Sequence, residues 1–369
     1  MVKFISSTFA VIAFIAVANA QAMTGYPKIN EIPDVNSPEV QAWLKEIDLT
    51  GAPEIPLHKG APPACPNPPI PNECYWTCDG CAAEDITKCA APNTWGLTFD
   101  DGPSVATPSL LDYLKTQKVS ATFFLIGSNV VQYPATVKRE IAEGHHLASH
   151  TWSHHALTTL TNQQIVAEMK WTEKAVLEAT GLRLKYMRPP YGDINNRVRF
   201  VLKKLGYIPV DWTGDEFDTK DWEMPGTPIE TVVSHFKTSI TAYVAGPKTN
   251  GFYCLEHDAN PMEVAAAKEL IPIGQANKVN IANVAQCESD PVGYQPGGTA
   301  TPPPVGGNST TVGPQPTGGA QKPGPGNTGS NNATTGPTVG VPKAAAATLT
   351  TKVGAISALA MAVAAALFA

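Results

Sequence analysis

Two short segments in the middle of the chain carry residues that could hold a metal ion and move a proton. Residues 98–103 place Asp100 and Asp101 side by side after an apolar run, and residues 150–154 place His150 and His154 four positions apart. One carboxylate and two imidazoles make a metal site that leaves a coordination position open for water. The second carboxylate is then free to act as a base beside that water. These residue types predict metal-assisted hydrolysis.

Each segment also has an ordinary structural explanation. Asp-Gly-Pro is a common turn sequence, and two histidines can fall four residues apart by chance in a chain that contains eight. A four-residue spacing does, however, let both rings face one way on a helix or in a tight turn. The combination of this pair with two carboxylates at the end of an apolar strand favours the metal site.

Three further segments, residues 188–192, 218–222 and 255–258, contain groups that such a hydrolysis needs. Arg188 precedes two prolines, so its side chain is held in place and can pair with a carboxylate. The backbone N–H of Tyr191 can stabilise an oxyanion, and His257 can act as a general acid. Taken alone, residues 188–192 could be a stiff loop, Trp222 could be a core tryptophan and His257 could be a structural histidine.

Short apolar runs alternate with amphipathic stretches, which predicts an α/β fold with a parallel sheet and crossover helices. The predicted strands cover residues 94–99, 119–126, 207–211, 251–255 and 278–281. The predicted helices cover residues 107–117, 135–143, 162–180, 195–205, 229–242 and 262–271. Because chemistry gathers where the strands of such folds end, Asp100, Asp101 and His257 are expected on one rim.

Both ends of the chain carry sequences typical of export and anchoring. Residues 1–20 combine Lys3, an apolar run and a final Ala-Asn-Ala, the pattern of a secretory signal. Residues 344–369 end in an apolar tail without charge, which is typical of a signal that is removed when a GPI anchor is attached. A membrane-spanning tail is the alternative. Asn332 and Ala344 are the two candidate attachment residues.

The rest of the chain divides by composition. Residues 21–91 form a Pro- and Cys-rich N-terminal segment with a weak amphipathic helix at 38–47 and a short flexible leader at 52–71. Residues 92–287 are long enough for one catalytic domain with a substantial core. Residues 288–343 are predicted to form a disordered stalk with glycosylation triplets that begin at Asn308 and Asn332. The net charge of −6 argues against a nucleic-acid partner.

Seven cysteines occur, and five of them lie between residues 65 and 89. Cys78 and Cys81 form a C-x-x-C pair, which is found in zinc ribbons and redox sites. Because the secretory signal indicates an oxidising compartment, structural disulfides are the favoured interpretation. Cys254 and Cys287 can pair with each other or with the N-terminal cluster, and the odd number leaves one thiol over.

The five segments, in this order, resemble those of the polysaccharide deacetylases of carbohydrate esterase family four, and most of all the fungal GPI-anchored chitin deacetylases. The resemblance covers about residues 92–285. It implies a distorted, incomplete (β/α) barrel and one divalent metal, usually zinc, with cobalt as an alternative. It also implies that the protein hydrolyses the N-acetyl groups of chitin or N-acetylglucosamine oligomers at the fungal cell wall and releases chitosan and acetate. The protein is assumed to be monomeric and to contact the membrane only through its anchor.

The same resemblance implies a role for each residue around the metal. Asp101, His150 and His154 match the metal ligands. Asp100 matches the base that activates the attacking water. Arg188 matches the residue that orients this base.

The remaining roles concern the substrate and the leaving group. The Tyr191 backbone N–H matches a donor to the oxyanion, and Trp222 and Leu255 match walls of the acetyl pocket. His257 matches the general acid, and Asp218 matches the carboxylate that tunes it.

Asp215 is a rival for the role given to Asp218. Residues 212–217 make a longer stretch than the family commonly has at this point, so the match is ambiguous there. The tryptophan at position 222 favours Asp218.

Two other functions remain compatible with these segments. The same fold could deacetylate another glycan, such as acetylated xylan or peptidoglycan, or the chain could be a non-catalytic wall protein that binds chitin. The presence of both Asp100 and His257 argues against the second, because a binding protein needs neither a base nor an acid.

Overall fold

The computed structural model of the chain describes residues 22–302. The predicted secretory signal, the anchor signal, Asn308, Asn332, Ala344 and most of the predicted stalk lie outside these residues. Within residues 22–302, none of the helices is both long enough and apolar enough to cross a membrane.

Strands and helices alternate along most of the described chain. The strands are β1 (Thr94–Gly96), β2 (Thr98–Asp100), β3 (Thr122–Leu125), β4 (His146–Ser149), β5 (Arg183–Leu184), β6 (Tyr186–Met187), β7 (Ile208–Pro209), β8 (Phe252–Tyr253), β9 (Asn280–Ala282) and β10 (Tyr294–Gln295). The helices are α1 (Pro38–Glu46), α2 (Trp76–Asp79), α3 (Thr107–Gln117), α4 (Gly127–Val130), α5 (Pro134–Ala142), α6 (Asn162–Thr180), α7 (Asn196–Lys204), α8 (Ile229–Ala245), α9 (Pro261–Ala276) and α10 (Val284–Cys287).

The long helices agree with the sequence prediction more closely than the strands do. Helices α3 and α6 have the predicted ends, and α6 begins with a reciprocal capping box between Thr161 and Gln164. The predicted strand at 94–99 is instead two strands, β1 and β2, in different sheets. The sequence pattern does not predict β4, because His-Leu-Ala-Ser contains none of the β-branched residues, Phe, Tyr or Trp that are enriched in strands.

The strands form an incomplete barrel. Five parallel strands make the main sheet in the order β2-β3-β4-β6-β7, and a second parallel sheet has the order β8-β1-β9. The consecutive strands β1 and β2 connect the two sheets, and one bridge pairs Asp100 with His257. Among the described residues, no ladder joins β7 to β8. The expected α/β fold of the distorted barrel type is therefore confirmed.

Strand β3 shows how the sheet is buried on both faces. Phe123 and Leu125 belong to the larger core, whereas Phe124 packs on the opposite face with Val210 and Tyr253. Both faces of a parallel strand are covered in this way in α/β proteins. The packing fixes the strand ends, and the candidate site is built from the loops that follow them.

The N-terminal segment packs against the α/β fold through aromatic side chains. Tyr26 stacks on Trp152 with ring centroids 5.8 Å apart. Trp43 of α1 meets Trp171 of α6 edge-on at 5.2 Å. Edge-on and offset pairs of this kind are favourable arrangements of aromatic rings.

Two segments predicted to be flexible are ordered where the structure describes them. In residues 52–71, the side chain of His58 is buried against Glu73, with Nε2 2.7 Å from Oε1. The predicted stalk, residues 288–343, begins with residues that still belong to the domain, because Tyr294 is buried and β10 pairs with β5. Composition predicts disorder in both places, but a few buried side chains suffice to attach each segment.

Six cysteines form disulfides and the seventh is buried and free. The pairs are Cys65–Cys78, Cys74–Cys81 and Cys89–Cys287, and the free thiol is Cys254. The disulfide interpretation is confirmed. The two cysteines of the C-x-x-C pair bond to other cysteines, so they form neither a redox pair nor a zinc ligand set.

Loss of the disulfide Cys89–Cys287 should destabilise the fold strongly. Replacing both residues with serine is expected to lower the free energy of unfolding by about 5 kcal/mol, because the bond closes a loop of 198 residues. Replacing Cys65 and Cys78 should cost only about 3 kcal/mol, since that loop spans 13 residues. Denaturant titration followed by circular dichroism measures both, and equal losses would contradict the loop-length explanation.

Candidate active site

Asp101, His150 and His154 come together in the loops that follow β2 and β4. The Nε2 atoms of His150 and His154 lie 3.3 Å and 3.1 Å from Asp101 Oδ1. One potential ligand atom from each residue lies within 4.8 Å of the other two. His150 Nδ1 lies 2.8 Å from the carbonyl oxygen of Arg188. Since a carbonyl only accepts, Nδ1 carries a proton, and Nε2 is the ring nitrogen that faces Asp101.

The polar atoms of these three side chains do not satisfy one another, and a cation bound between them would. Asp101 Oδ1 is buried and accepts no hydrogen bond from the described residues. His150 Nε2 lies 3.3 Å from this oxygen. Burial lowers the pKa of His154 to about 4, so this ring is neutral at neutral pH. Two imidazoles and a carboxylate are a ligand set that fits a divalent cation.

A buried carboxylate holds the loop that carries the two histidines. Glu168 of α6 accepts the backbone N–H groups of Trp152 and Ser153, each at 2.8 Å, and the Ser153 hydroxyl group at 2.5 Å. The loop is a turn rather than a helix, and it brings the rings of His150 and His154 within 4.9 Å of each other.

Four residues of this region that are not glycine have left-handed backbones. Asp101, Thr151, His154 and Tyr191 have φ values of 73°, 67°, 58° and 62°. This conformation costs a residue with a Cβ roughly 1–2 kcal/mol, so it persists only where the surroundings impose it. The concentration of strained residues here supports a functional site.

Asp100 lies beside the metal ligands but is held by the fully buried Arg188. Arg188 Nη1 donates to Asp100 Oδ1 and to Thr98 Oγ1, both at 2.9 Å, and Nε donates to the Val210 carbonyl at 3.0 Å. The guanidinium carbon also lies 4.4 Å from the centre of the Phe124 ring. No described residue donates to Asp100 Oδ2. One carboxylate oxygen is therefore anchored and the other is available to accept a proton.

His257 is held by Asp221, a residue that the sequence analysis does not single out. Asp221 Oδ1 lies 2.7 Å from His257 Nδ1, and Oδ2 accepts the backbone N–H of His257 at 2.8 Å. Because the carboxylate accepts, Nδ1 carries a proton and Nε2 is left for a substrate. Burial alone would lower the pKa of His257, but the Asp221 carboxylate raises it well above its ordinary value.

The expected contact between Asp218 and His257 is therefore wrong. Asp218 Oδ1 accepts the indole N–H of Trp222 at 3.1 Å instead, and the rival Asp215 is exposed. The reason is local: a 3₁₀ turn begins at Asp221 and directs this carboxylate to His257, which forms a bridge with Asp100. The one sequence signal for Asp221 is its place directly before Trp222.

The residues expected to bind substrate surround these groups. Tyr191 is 39 % exposed, its ring centroid lies 4.7 Å from that of His154, and its backbone N–H donates to no described residue. Trp222 is 50 % exposed and can cover a sugar ring or a methyl group. Leu255 is nearly buried.

Residues 87–210 of the chain match the family model described as polysaccharide deacetylase. Chitin deacetylase 1 of Cryptococcus neoformans is 40 % identical over 260 residues, which cover 68 % of this chain and 55 % of that protein. The chitin deacetylase of Amylomyces rouxii is 38 % identical over 284 residues, or 71 % of this chain and 66 % of that one. The solved chitin deacetylase of Colletotrichum lindemuthianum is 33 % identical with a TM-score of 0.51, and the match covers 55 % of this chain and 90 % of that one.

The chain belongs to the polysaccharide deacetylase family. It spans between half and two thirds of the length of the two curated relatives. The region matched by the family model contains the metal-binding triad and Arg188, whereas Asp221 and His257 lie beyond it. The tertiary structure brings the two parts together, since Asp100 and His257 form a β-bridge.

The triad should bind zinc independently of catalysis. His154→Ala is expected to weaken Zn²⁺ binding by about 100-fold or more, because two ligands in place of three hold the ion poorly. Calorimetric titration of chelator-treated protein with Zn²⁺ measures this directly. Asp100→Asn is the control and should retain the affinity within a few-fold, since Asp100 contacts Arg188 and not the triad. Equal binding by His154→Ala and the unmodified protein would exclude the site.

Proposed function

We propose that the chain is a metal-dependent deacetylase that hydrolyses the N-acetyl groups of chitin and releases chitosan and acetate. The observation that carries the proposal is the convergence on one rim of the metal-binding triad, the Asp100–Arg188 pair and the Asp221–His257 pair. The named relatives support chitin rather than acetylated xylan or peptidoglycan as the substrate.

The metal and the base would act on the same water molecule. A divalent cation at Asp101, His150 and His154, with zinc preferred to cobalt, would lower the pKa of water from about 15.7 toward about 7 and polarise the acetyl carbonyl. Asp100 Oδ2 is placed to accept a proton from the attacking water, while Arg188 keeps Oδ1 in place.

Two other residues stabilise the charges that develop on the carbonyl oxygen and on the nitrogen. The unpaired backbone N–H of Tyr191 donates to the oxyanion. His257 is protonated at neutral pH because Asp221 raises its pKa, so it can give a proton to the departing amine. Trp222 and Leu255 would line the pocket for the acetyl group.

We also propose that the protein acts outside the cell. The support comes from the predicted secretory signal at residues 1–20 and from three disulfides, which persist in oxidising compartments. On this proposal, the mature chain carries glycans at Asn308 and Asn332, and a GPI anchor at Asn332 or Ala344 holds a monomeric protein at the outer face of the plasma membrane and in the cell wall.

Acetate release from N-acetylglucosamine oligomers tests the proposed activity. We expect release that stops after chelation, returns with Zn²⁺ and falls by about 10²–10⁴-fold in Asp100→Asn. Acetylated xylan and peptidoglycan are assayed in parallel. Faster release from either would transfer the proposal to that glycan, and a folded, zinc-loaded protein without any release would refute it.

The pH profile tests the assignment of Asp221. A general acid must be protonated, so activity falls as the pH rises through its pKa, and a raised pKa keeps the enzyme active to higher pH. Asp221→Asn is expected to lower kcat by about 100-fold and to move this alkaline limb to lower pH. Asp218→Asn should leave the limb in place. The opposite pattern would return the role to Asp218.

A further inference from the structure

Two half-buried tryptophans lie directly beside the Tyr191 loop and take no part in the proposed chemistry. Trp212 follows β7, and Trp76 begins α2 in the N-terminal segment. Their rings meet edge-on with centroids 6.4 Å apart. A Cβ on Gly192 would lie 2.8 Å from Trp212 and 3.1 Å from Trp76, so both indoles touch the residue next to Tyr191.

Within residues 22–302, the indole N–H groups of these two tryptophans donate no hydrogen bond to the protein. The N–H of Trp222 donates to Asp218, and that of Trp152 donates to the Lys28 carbonyl. By contrast, no residue within 22–302 accepts a hydrogen bond from the indole nitrogen of either Trp76 or Trp212. The accessible part of a half-buried indole can pack on a pyranose ring, and its N–H can donate to a sugar hydroxyl group.

The N-terminal segment holds Trp76 rigidly in this place. The neighbouring Tyr75 donates its hydroxyl proton to Asp193, next to Gly192, at 2.6 Å. Cys74 and Cys78, on either side of Trp76, are both disulfide-bonded. A ring that is already fixed loses little conformational entropy when a ligand binds.

We propose that Trp76 and Trp212 form a sugar subsite for an N-acetylglucosamine unit next to the one that is deacetylated. The proposal rests on the proposed function and extends the same binding face. Strands β6 and β7 are parallel neighbours, so the residues that follow them, Tyr191 and Trp212, lie on one edge of the sheet. The occupant is therefore the next unit of the same chitin chain. Both tryptophans lie outside residues 87–210, the region matched by the family model, and the N-terminal segment contributes Trp76.

Chain-length dependence tests the subsite. In Trp212→Ala and Trp76→Ala, kcat/KM for the hexamer of N-acetylglucosamine is expected to fall about tenfold, while that for the single sugar, which leaves this subsite empty, changes less than about twofold. Trp212→Phe and Trp76→Phe keep a stacking ring and should recover most of the loss. Tyr113→Ala removes a half-buried aromatic ring on α3 and is the control. Where an alanine variant does not fold, leucine keeps bulk on Gly192 without the aromatic face.

Binding separates failure of the subsite from failure of the proposed function. Calorimetry on zinc-loaded Asp100→Asn protein, with and without Trp212→Ala, measures hexamer affinity without turnover, and we expect about a tenfold loss. If the unmodified protein releases acetate but the tryptophan variants keep its length dependence and affinity, the subsite is wrong and the function stands. If no acetate is released, the function fails, and equal hexamer affinity in the two proteins overturns the subsite as well.

Discussion

The buried guanidinium of Arg188 is the group on which the geometry of the site depends. Its side chain donates to Asp100 and Thr98 of β2 and to the carbonyl of Val210 just after β7, while its own carbonyl accepts from His150. A charge removed from water must be paired and hydrogen-bonded, or it costs several kcal/mol. The ends of strands β2, β4, β6 and β7 must therefore be aligned around this one residue. The same contacts position Asp100, the proposed base, and His150, a proposed metal ligand.

The candidate site contains polar atoms and backbones that the fold itself does not satisfy. Among residues 22–302 no group donates to Asp101 Oδ1, the neutral imidazole of His154 lies beside it, and several residues keep left-handed backbones. These features cost stability, and the packed strands, Glu168 and the disulfides offset that cost. Arrangements of this kind are found where a fold holds groups ready for a cation and a substrate.

The N-terminal segment packs against the fold and extends to the candidate site. It packs aromatic rings against α6, closes a long covalent loop through Cys89 and Cys287, and places Trp76 beside the Tyr191 loop. Most of this segment, up to residue 86, precedes the region matched by the family model, so it can distinguish this chain from other members of the family without altering the residues of the candidate site. Specificity for chain length would then be set outside the catalytic residues.

Local signals in the sequence were enough for the long helices, the general architecture and the grouping of Asp101, His150 and His154. Caps, helical periodicity and residue spacing depend on neighbours a few residues away, so they can be interpreted without a fold. The tertiary structure alone decided that Asp221 rather than Asp218 holds His257, because both carboxylates occupy the same short segment and only the turn at Asp221 directs one of them to this histidine. It alone also decided the pairing of Cys89 with Cys287 and the docking of residues 52–71, since these contacts join distant parts of the chain and leave no local periodicity.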